Sequence, residues 1–78
     1  MALPENGGTH MLSIEQRIGI RIRGKRRALG LSQDDLSKAL GVTIEAIDAY
    51  ERGAARLPPE LLVKLADFMD VHLGYFMP

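Results

Sequence analysis

The sequence predicts an all-α domain of four helices followed by a short C-terminal turn. Apolar residues recur at helical spacing in the helical segments, a helix-capping residue precedes each of the first three, and glycine or proline marks their boundaries. The chain has 78 residues, and a domain of this size buries only about 60% of the surface that its unfolded chain exposes. Each apolar position therefore matters to the core.

The composition is that of an ordinary globular protein, with 46% hydrophobic and 26% charged residues. Ten basic and ten acidic residues cancel, so a polyanionic partner must be argued from where the charges lie. The absence of cysteine excludes disulfides, thiolate zinc sites and thiol nucleophiles. No apolar run approaches the roughly 18 residues of a membrane span, and we expect a cytoplasmic protein without a membrane partner.

The first ten residues are polar, show no periodicity and include a proline and two glycines, which is typical of a flexible leader. A second methionine, Met11, follows and precedes an amphipathic run. We therefore expect residues 1–10 to be an added leader ahead of a natural start at Met11, and residues 11–78 to form the folded domain.

The first helix is predicted to run from Ser13 to about Leu29. Ser13 and Gln16 have the spacing of a capping box, and Gly30 ends the helix. The apolar stripe consists of Ile14, Ile18 and Ile22. Arg26 continues this stripe, so a positive charge falls on the core side and needs a partner if it is buried.

The second helix is short and begins after Ser32, which has Asp35 three places further on as its capping-box partner. Gly41 suits the left-handed residue that follows a helix end. The apolar side is formed by Leu36, Ala39 and Leu40.

The third helix is capped by Thr43 and stopped by Gly53. Counting 100° per residue turns Ile47 and Tyr50 inward. The same count turns four side chains outward, those of Glu45, Asp48, Ala49 and Arg52.

The fourth helix is introduced by Pro58 and Pro59, which pre-set its first turn. Its predicted buried stripe is Leu61, Leu62, Leu65, Ala66 and Met69. At the end of the chain we expect Leu73, Tyr75 and Phe76 to fold back as a last turn that covers the core.

The two short helices joined through Gly41 and Val42 have the spacing of a helix-turn-helix. In that arrangement the first helix lies across the phosphate backbone, and the second enters the major groove and offers its exposed side chains to base edges. The outward side of residues 43–52 is thus the expected functional surface.

The segment RIRGKRRALGLSQDDLSKALGVTIEAIDAYERG, with the later LVKLADFMDV, resembles the Cro/C1-type (XRE) helix-turn-helix family of phage repressors and bacterial regulators. Four separated motifs carry the resemblance: R-x-x-x-G-L-S-Q, L-G-V, I-x-x-Y-E-x-G and L-x-x-L-A. It covers nearly all of residues 14–76. It implies a lambda-repressor-like fold and a nucleoid-associated, sequence-specific transcriptional regulator, a repressor that binds double-stranded DNA as a homodimer on two half-sites about one helical turn apart.

Carried onto this sequence, the resemblance implies a set of DNA-binding positions. Gln33 would contact phosphate and a base, and Ile44, where many members have glutamine, offers only apolar contact, for instance with a thymine methyl. Glu45 and Asp48 could accept from cytosine N4 but would be repelled by phosphates. The full set is Gln33, Thr43, Ile44, Glu45, Ala46, Asp48, Ala49, Arg52 and Arg56.

The resemblance also pairs Arg26 with Glu51 as a structural ion pair, which would give the charge in the first-helix stripe its partner. Further basic residues of that helix can gather at the DNA-facing edge, namely Arg17, Arg21, Arg23, Lys25 and Arg27. Leu57, Leu61 and the terminal aromatics are candidates for a dimer contact, although core packing explains them equally well.

A second reading of the same scaffold is a protein-interaction module, such as an adaptor or an antitoxin-like partner. Ile44, Ala46 and Ala49 would suit a dry protein contact. No enzyme is expected, because no base or acid is spaced to activate the capping Ser32 and Thr43. His10 and His72 stand apart, so no metal site is expected. We also expect no cofactor and no small-molecule substrate.

Overall fold

The computed structural model describes residues 12–77, and the leader expected at residues 1–10 lies outside the described residues. The structure has four α-helices and a closing 3-10 turn: α1 (Ile14–Ala28), α2 (Gln33–Leu40), α3 (Ile44–Arg52), α4 (Pro59–Met69) and the terminal turn (Leu73–Phe76). Residues 12–77 contain no strand. The predicted all-α architecture is thereby confirmed. In the same residues no helix has the length and apolar character needed to cross a bilayer.

Side chains cap the first three helices as their sequences predict. Ser13 Oγ accepts from the Gln16 backbone N–H at 3.0 Å, and Ser13 N–H donates to Gln16 Oε1 at 2.8 Å. Ser32 and Asp35 form the same reciprocal pair at 2.9 and 2.8 Å. Thr43 Oγ1 accepts from the Ala46 N–H at 3.1 Å. Because these bonds satisfy N–H groups that a helix start leaves unpaired, they fix where α1, α2 and α3 begin.

A single core lies between the four helices and the terminal turn. The side chain of Phe76 is 0% exposed. The terminal turn that carries it packs against α1 and α4 and closes the core. The predicted burial of Phe76 is confirmed. The buried apolar residues are Ile22, Leu36, Leu40, Ile47, Leu62, Leu65, Ala66, Met69 and Phe76.

Some predicted core positions are wrong. Ile14 is 62% exposed, because the i, i+4 stripe of α1 drifts by about 40° at each step, and the first turn of the helix lies beyond the edge of the core. Leu73 and Tyr75 are exposed as well, since a four-residue 3-10 turn has room to direct only Phe76 into the core. Ile18 is half-buried.

Close packing of α1 against α3 depends on glycine at two positions. At Gly19 a Cβ atom would lie 2.5 Å from the carbonyl oxygen of Tyr50 and would also press on the carbonyl of Glu51. Gly53 has φ +70°, and a Cβ there would lie 2.5 Å from Gln16 Cα. The backbones of α1 and α3 therefore touch where no side chain fits, which fixes the position of α3.

Candidate nucleic-acid interface

The turn between α2 and α3 is held by its own backbone. The N–H groups of Gly41 and Val42 both donate to the carbonyl of Ser37, at 2.8 and 3.0 Å, which satisfies one of the carbonyls left open at the helix end. Val42 is half-buried against the core. These contacts hold α2 and α3 at one angle, so the exposed side of α3 is presented by a defined scaffold.

The outward side of α3 carries most of the predicted DNA-binding residues. Ile44 is 42% exposed, which leaves an apolar side chain in solvent at the start of the helix. Thr43, Glu45 and Arg52 are exposed, and the remaining predicted positions of this helix are half-exposed: Ala46, Asp48 and Ala49. All seven therefore lie on accessible surface of the monomer.

Behind this surface, Arg26 of α1 meets Glu51 of α3. Arg26 Nε donates to Glu51 Oε2 at 2.6 Å and Nη2 donates to Oε1 at 3.1 Å. Their side chains are only 12% and 2% exposed. Arg26 Nη1 also donates to the Leu31 carbonyl at 2.9 Å, so the guanidinium joins α1, α3 and the loop that leads into α2. The charge on the α1 stripe is thus tolerated because it is paired and hydrogen-bonded.

Gln33 connects the buried pair to the exposed surface. Its Nε2 donates to Glu51 Oε1 at 3.1 Å and to Asp48 Oδ1 at 3.3 Å. Asp48 Oδ2 in turn accepts from Arg52 Nε at 2.8 Å. Hydrogen bonds therefore run without a break from Arg26, through the glutamate and Gln33, to Arg52 on the face of α3.

The carboxylate of Asp48 is stabilised in its charged form. The hydrogen bond from Arg52, followed by the one from Gln33, lowers the pKa of Asp48 below its ordinary value, and the positive charge of Arg23 acts in the same direction. Asp48 consequently stays ionised at neutral pH. A negative charge therefore occupies the middle of the surface that the resemblance assigns to DNA.

The basic side chains of α1 do not all lie beside this surface. Arg21 Nη1 donates to the carbonyl of Tyr75 at 3.2 Å, and Lys25 Nζ lies 5.7 Å above the Tyr75 ring. The expectation that they gather at the DNA-facing edge is wrong for these two, because the terminal turn engages them. Arg23, by contrast, lies close enough to Asp48 to affect its pKa.

Arg56 follows α3 in the loop and is one of the exposed residues predicted to bind DNA. Its side chain is 87% exposed, and Nε lies 3.9 Å from Glu15 Oε2. An exposed pair at this distance adds little stability, so the guanidinium is available to a ligand.

Sequence reasoning did not find the two carboxylates around Gln33 or the backbone contact at Gly19. One signal was present, since Asp48 and Glu51 are three residues apart and so share one side of α3. The position of Gln33 opposite them depends on how α2 packs against α3, which the sequence pattern does not contain.

A groove of about 360 Å³ lies between α1, α4, the loop after α3 and the terminal turn. It opens beside the Glu15 and Arg56 pair. Its apolar lining is formed by Ile14, Ile18, Tyr50, Ala55, Leu57, Pro59, Leu62, Val63, Leu73 and Met77. In residues 12–77 no group of three or more metal-ligating side chains comes together.

The sequence profile of the helix-turn-helix family matches residues 22–76. The chain is 34% identical over 73 residues to an HTH-type transcriptional regulator of Sinorhizobium fredii, an alignment that covers 94% of this chain and 51% of that relative. The chain thus spans about half the relative's length.

Two solved structures are similar in fold. The restriction-modification controller protein C.AhdI of Aeromonas hydrophila superposes with a TM-score of 0.76 at 28% identity, covering 81% of this chain and 96% of that one. The P22 c2 repressor, solved in complex with a synthetic operator, has a TM-score of 0.73 at 32% identity, covering 80% and 94%. The arrangement of α2, the turn and α3 in this chain is thus shared with these two proteins.

Proposed function

The chain belongs to the XRE-type helix-turn-helix family, and from this membership we propose that it is a sequence-specific DNA-binding transcriptional regulator of the Cro/C1 type. In this proposal α3 enters the major groove of double-stranded DNA and α2 lies across the phosphate backbone. The observation that carries the proposal is the exposed side of α3, held by the Arg26–Glu51 pair and the Gly19 contact against α1.

The proposed contacts divide into two groups. Arg52, Arg56 and Thr43 reach phosphates, because they flank α3 and are exposed. Gln33 lies at the same edge, but its two amide protons are already donated to carboxylates. The residues of α3 that face base edges in this proposal are Ile44, Glu45, Ala46, Asp48 and Ala49.

The regulator is proposed to act as a homodimer on two half-sites about one helical turn apart, as a repressor on the nucleoid in the cytoplasm. Operator binding by the similar P22 c2 repressor supports DNA as the partner. The groove between α1, α4 and the terminal turn offers apolar surface for the second copy, with Val63, Leu73 and Met77 exposed along it. No enzymatic activity and no small-molecule substrate is part of the proposal.

The experiment that tests the proposal is selection of bound sequences from random DNA, repeated with Arg52→Ala. The parent should enrich one motif with two related half-sites, and its affinity should fall steeply with salt because each phosphate contact releases counterions. Arg52→Ala should weaken binding and reduce the slope of log affinity against log salt concentration by about one.

Lys64→Ala is the control for Arg52→Ala. Lys64 is an exposed basic residue of α4, outside the two helices that the proposal places on DNA. Its substitution should leave the motif and the salt dependence unchanged. Affinity that does not respond to salt, or a selection that enriches no motif, would contradict the proposed function.

The alternative function is a protein-interaction module, favoured by the exposed Ile44 beside acidic side chains. Reversing the charge of Glu45 and Asp48 by substitution with lysine distinguishes the two candidate functions. A DNA-binding regulator should gain nonspecific DNA affinity and change its motif. An interaction module should lose its protein partner, and its parent form should bind no DNA.

A further inference from the structure

Among the side-chain hydrogen bonds of residues 12–77, only the Gln33 amide bonds to both ion pairs, the buried Arg26–Glu51 pair and the exposed Asp48–Arg52 pair. It stands at the first position of α2 and is half-buried. Its neighbours are carboxylates on both sides. This combination decides which of its atoms remains free for a ligand.

The orientation of the amide follows from the chemistry of its partners. An ionised carboxylate only accepts hydrogen bonds, whereas a glutamine amide has two N–H donors on nitrogen and an oxygen that accepts. Since Asp48 Oδ1 lies 3.3 Å and Glu51 Oε1 lies 3.1 Å from the same terminal atom, that atom must be the nitrogen. The reversed amide would set an oxygen against two negative charges.

The orientation is also fixed from behind. Glu51 is held by two bonds from Arg26 and is 2% exposed, so it stays in place and continues to accept the hydrogen bond from Gln33. Asp48 is held by Arg52 at 2.8 Å. Both amide protons are therefore engaged in the free protein, and only the oxygen Oε1 is left to meet a ligand.

We propose that Gln33 reads DNA as a hydrogen-bond acceptor only, at a base that presents an amino group in the major groove. This inference rests on the proposed function. Cytosine N4 and adenine N6 are the amino groups there, whereas guanine O6 and thymine O4 are acceptors that would face the amide oxygen unfavourably. Phosphate oxygens also only accept, so a side-chain bond from Gln33 to phosphate would require breaking a bond to Asp48 or Glu51.

Acceptor-only reading gives a recognisable preference. A free glutamine pairs with adenine through both its oxygen and its nitrogen and so favours adenine over cytosine. With its nitrogen engaged, Gln33 makes one bond to either base. The position that it reads should therefore accept adenine and cytosine about equally and discriminate against guanine and thymine by about fivefold, the effect of one neutral hydrogen bond.

The first test uses the free protein and does not depend on DNA. In NMR spectra both Nε2 protons of Gln33 should be shifted downfield and exchange with water about fivefold more slowly than those of an exposed glutamine amide. Asp48→Asn should weaken the bond to one of them and speed its exchange, because a neutral amide oxygen accepts more weakly than a carboxylate and must serve both Gln33 and Arg52. Two freely exchanging protons in the parent would overturn the inference.

The second test repeats the selection from random DNA with Gln33→Met, which keeps the length of the side chain and removes its polar atoms. The parent should show one position with adenine or cytosine, and Gln33→Met should lose the preference at that position alone. Replacing the adenine by purine, which lacks the 6-amino group, should weaken the parent about fivefold and leave Gln33→Met unaffected. With Asp48→Asn, the DNA position that Gln33 reads should also accept guanine and thymine.

The outcomes separate the two ideas. A Gln33-dependent preference for guanine or thymine, or an equal loss of affinity on every sequence, would show donation to a base or a phosphate and overturn acceptor-only reading while the proposed function stands. If the folded parent enriches no sequence, the proposed function fails and DNA reading by Gln33 fails with it. The NMR result then still reports whether the amide protons are engaged.

Discussion

Arg26 and Glu51 form a two-bond ion pair, 2.6 Å from Nε to Oε2 and 3.1 Å from Nη2 to Oε1, between the first and third helices. The pair lies beneath the exposed surface of α3. Arg26 also donates to the carbonyl of Leu31 in the loop before α2, and Glu51 also accepts from Gln33. The same contacts that stabilise the domain therefore also set the orientation of the proposed DNA-reading surface.

Removing one member of this pair should destabilise the fold. Glu51→Ala leaves the Arg26 guanidinium largely buried without its carboxylate, and we expect a loss of about 3–5 kcal/mol in the free energy of unfolding. Urea denaturation followed by circular dichroism measures it. Glu45→Ala, an exposed glutamate of the same helix, is the control and should cost less than about 1 kcal/mol. Equal stability of Glu51→Ala and the parent would refute the structural role of the pair.

Gly19→Ala should separate α1 from α3. The added methyl would press on the Tyr50 and Glu51 carbonyls, and we expect a destabilisation of about 1–3 kcal/mol with a shift of α3. Thermal melting and amide chemical shifts report the two effects. Gly24→Ala is the matched control, because it lies in the same helix with nothing within 4 Å of its Cβ position. It should raise stability by about 0.5–1 kcal/mol. Similar effects at both glycines would argue against the close contact.

The Asp48 carboxylate should contribute pH-dependent stability. Its pKa is lowered in the folded protein, chiefly by the bond from Arg52, so its contribution is fully present above the unfolded value near 3.8 and is lost as pH falls through the folded value. Asp48→Asn should therefore be less stable than the parent at neutral pH and lose that difference below about pH 4. The urea midpoint measured against pH tests this. In an Arg52→Ala background the pH-dependent difference should shrink.

Neutralising Asp48 should also strengthen binding to DNA of any sequence. With α3 in the major groove as proposed, its charge would repel nearby phosphates, and Asp48→Asn should raise nonspecific affinity by about threefold to tenfold at low salt, with a smaller gain at high salt. Fluorescence anisotropy with a random duplex measures the change. Asp67→Asn, on exposed α4 surface, should leave the affinity unchanged. A fall in nonspecific affinity with Asp48→Asn would contradict repulsion as the role of this carboxylate.

The end of α4 offers a stabilising substitution. Asp70 has φ 57°, a left-handed conformation uncommon for residues other than glycine, and its negative charge lies at the helix C-terminus. Asp70→Gly should raise the free energy of unfolding by about 0.5–1 kcal/mol. Asp70→Asn removes the charge but keeps the side chain, and so measures the electrostatic part separately. A destabilised Asp70→Gly would show that the aspartate side chain itself stabilises the turn.

Features that depend on neighbouring residues were predictable from the sequence. The caps at Ser13, Ser32 and Thr43 involve partners only three positions away, so residue type and spacing were enough to place the helix starts. The family motifs added the Arg26–Glu51 contact, which spans α1 and α3.

Features that depend on how helices cross were not predictable. The need for glycine at position 19 comes from the α3 backbone that lies against it, which the sequence of α1 alone does not reveal. Ile14 was assigned to the core because periodicity does not reveal where the core ends. Gln33 was placed at the interface, but its two carboxylate partners come from another helix. The DNA-binding roles of the residues on α3 stay predictions.

The carboxylate at position 48 orients a glutamine on a different helix, and any attempt to alter the proposed DNA preference by protein engineering must take both residues into account. A library that varies residue 48 alone would sample new side chains beside a Gln33 that has lost one of its two acceptors. One substitution at residue 48 would then change the base preference at two DNA positions, the one that residue 48 faces and the one that Gln33 reads. Libraries that randomise residues 33 and 48 together should yield regulators with cleanly reprogrammed operators more often than single-site libraries.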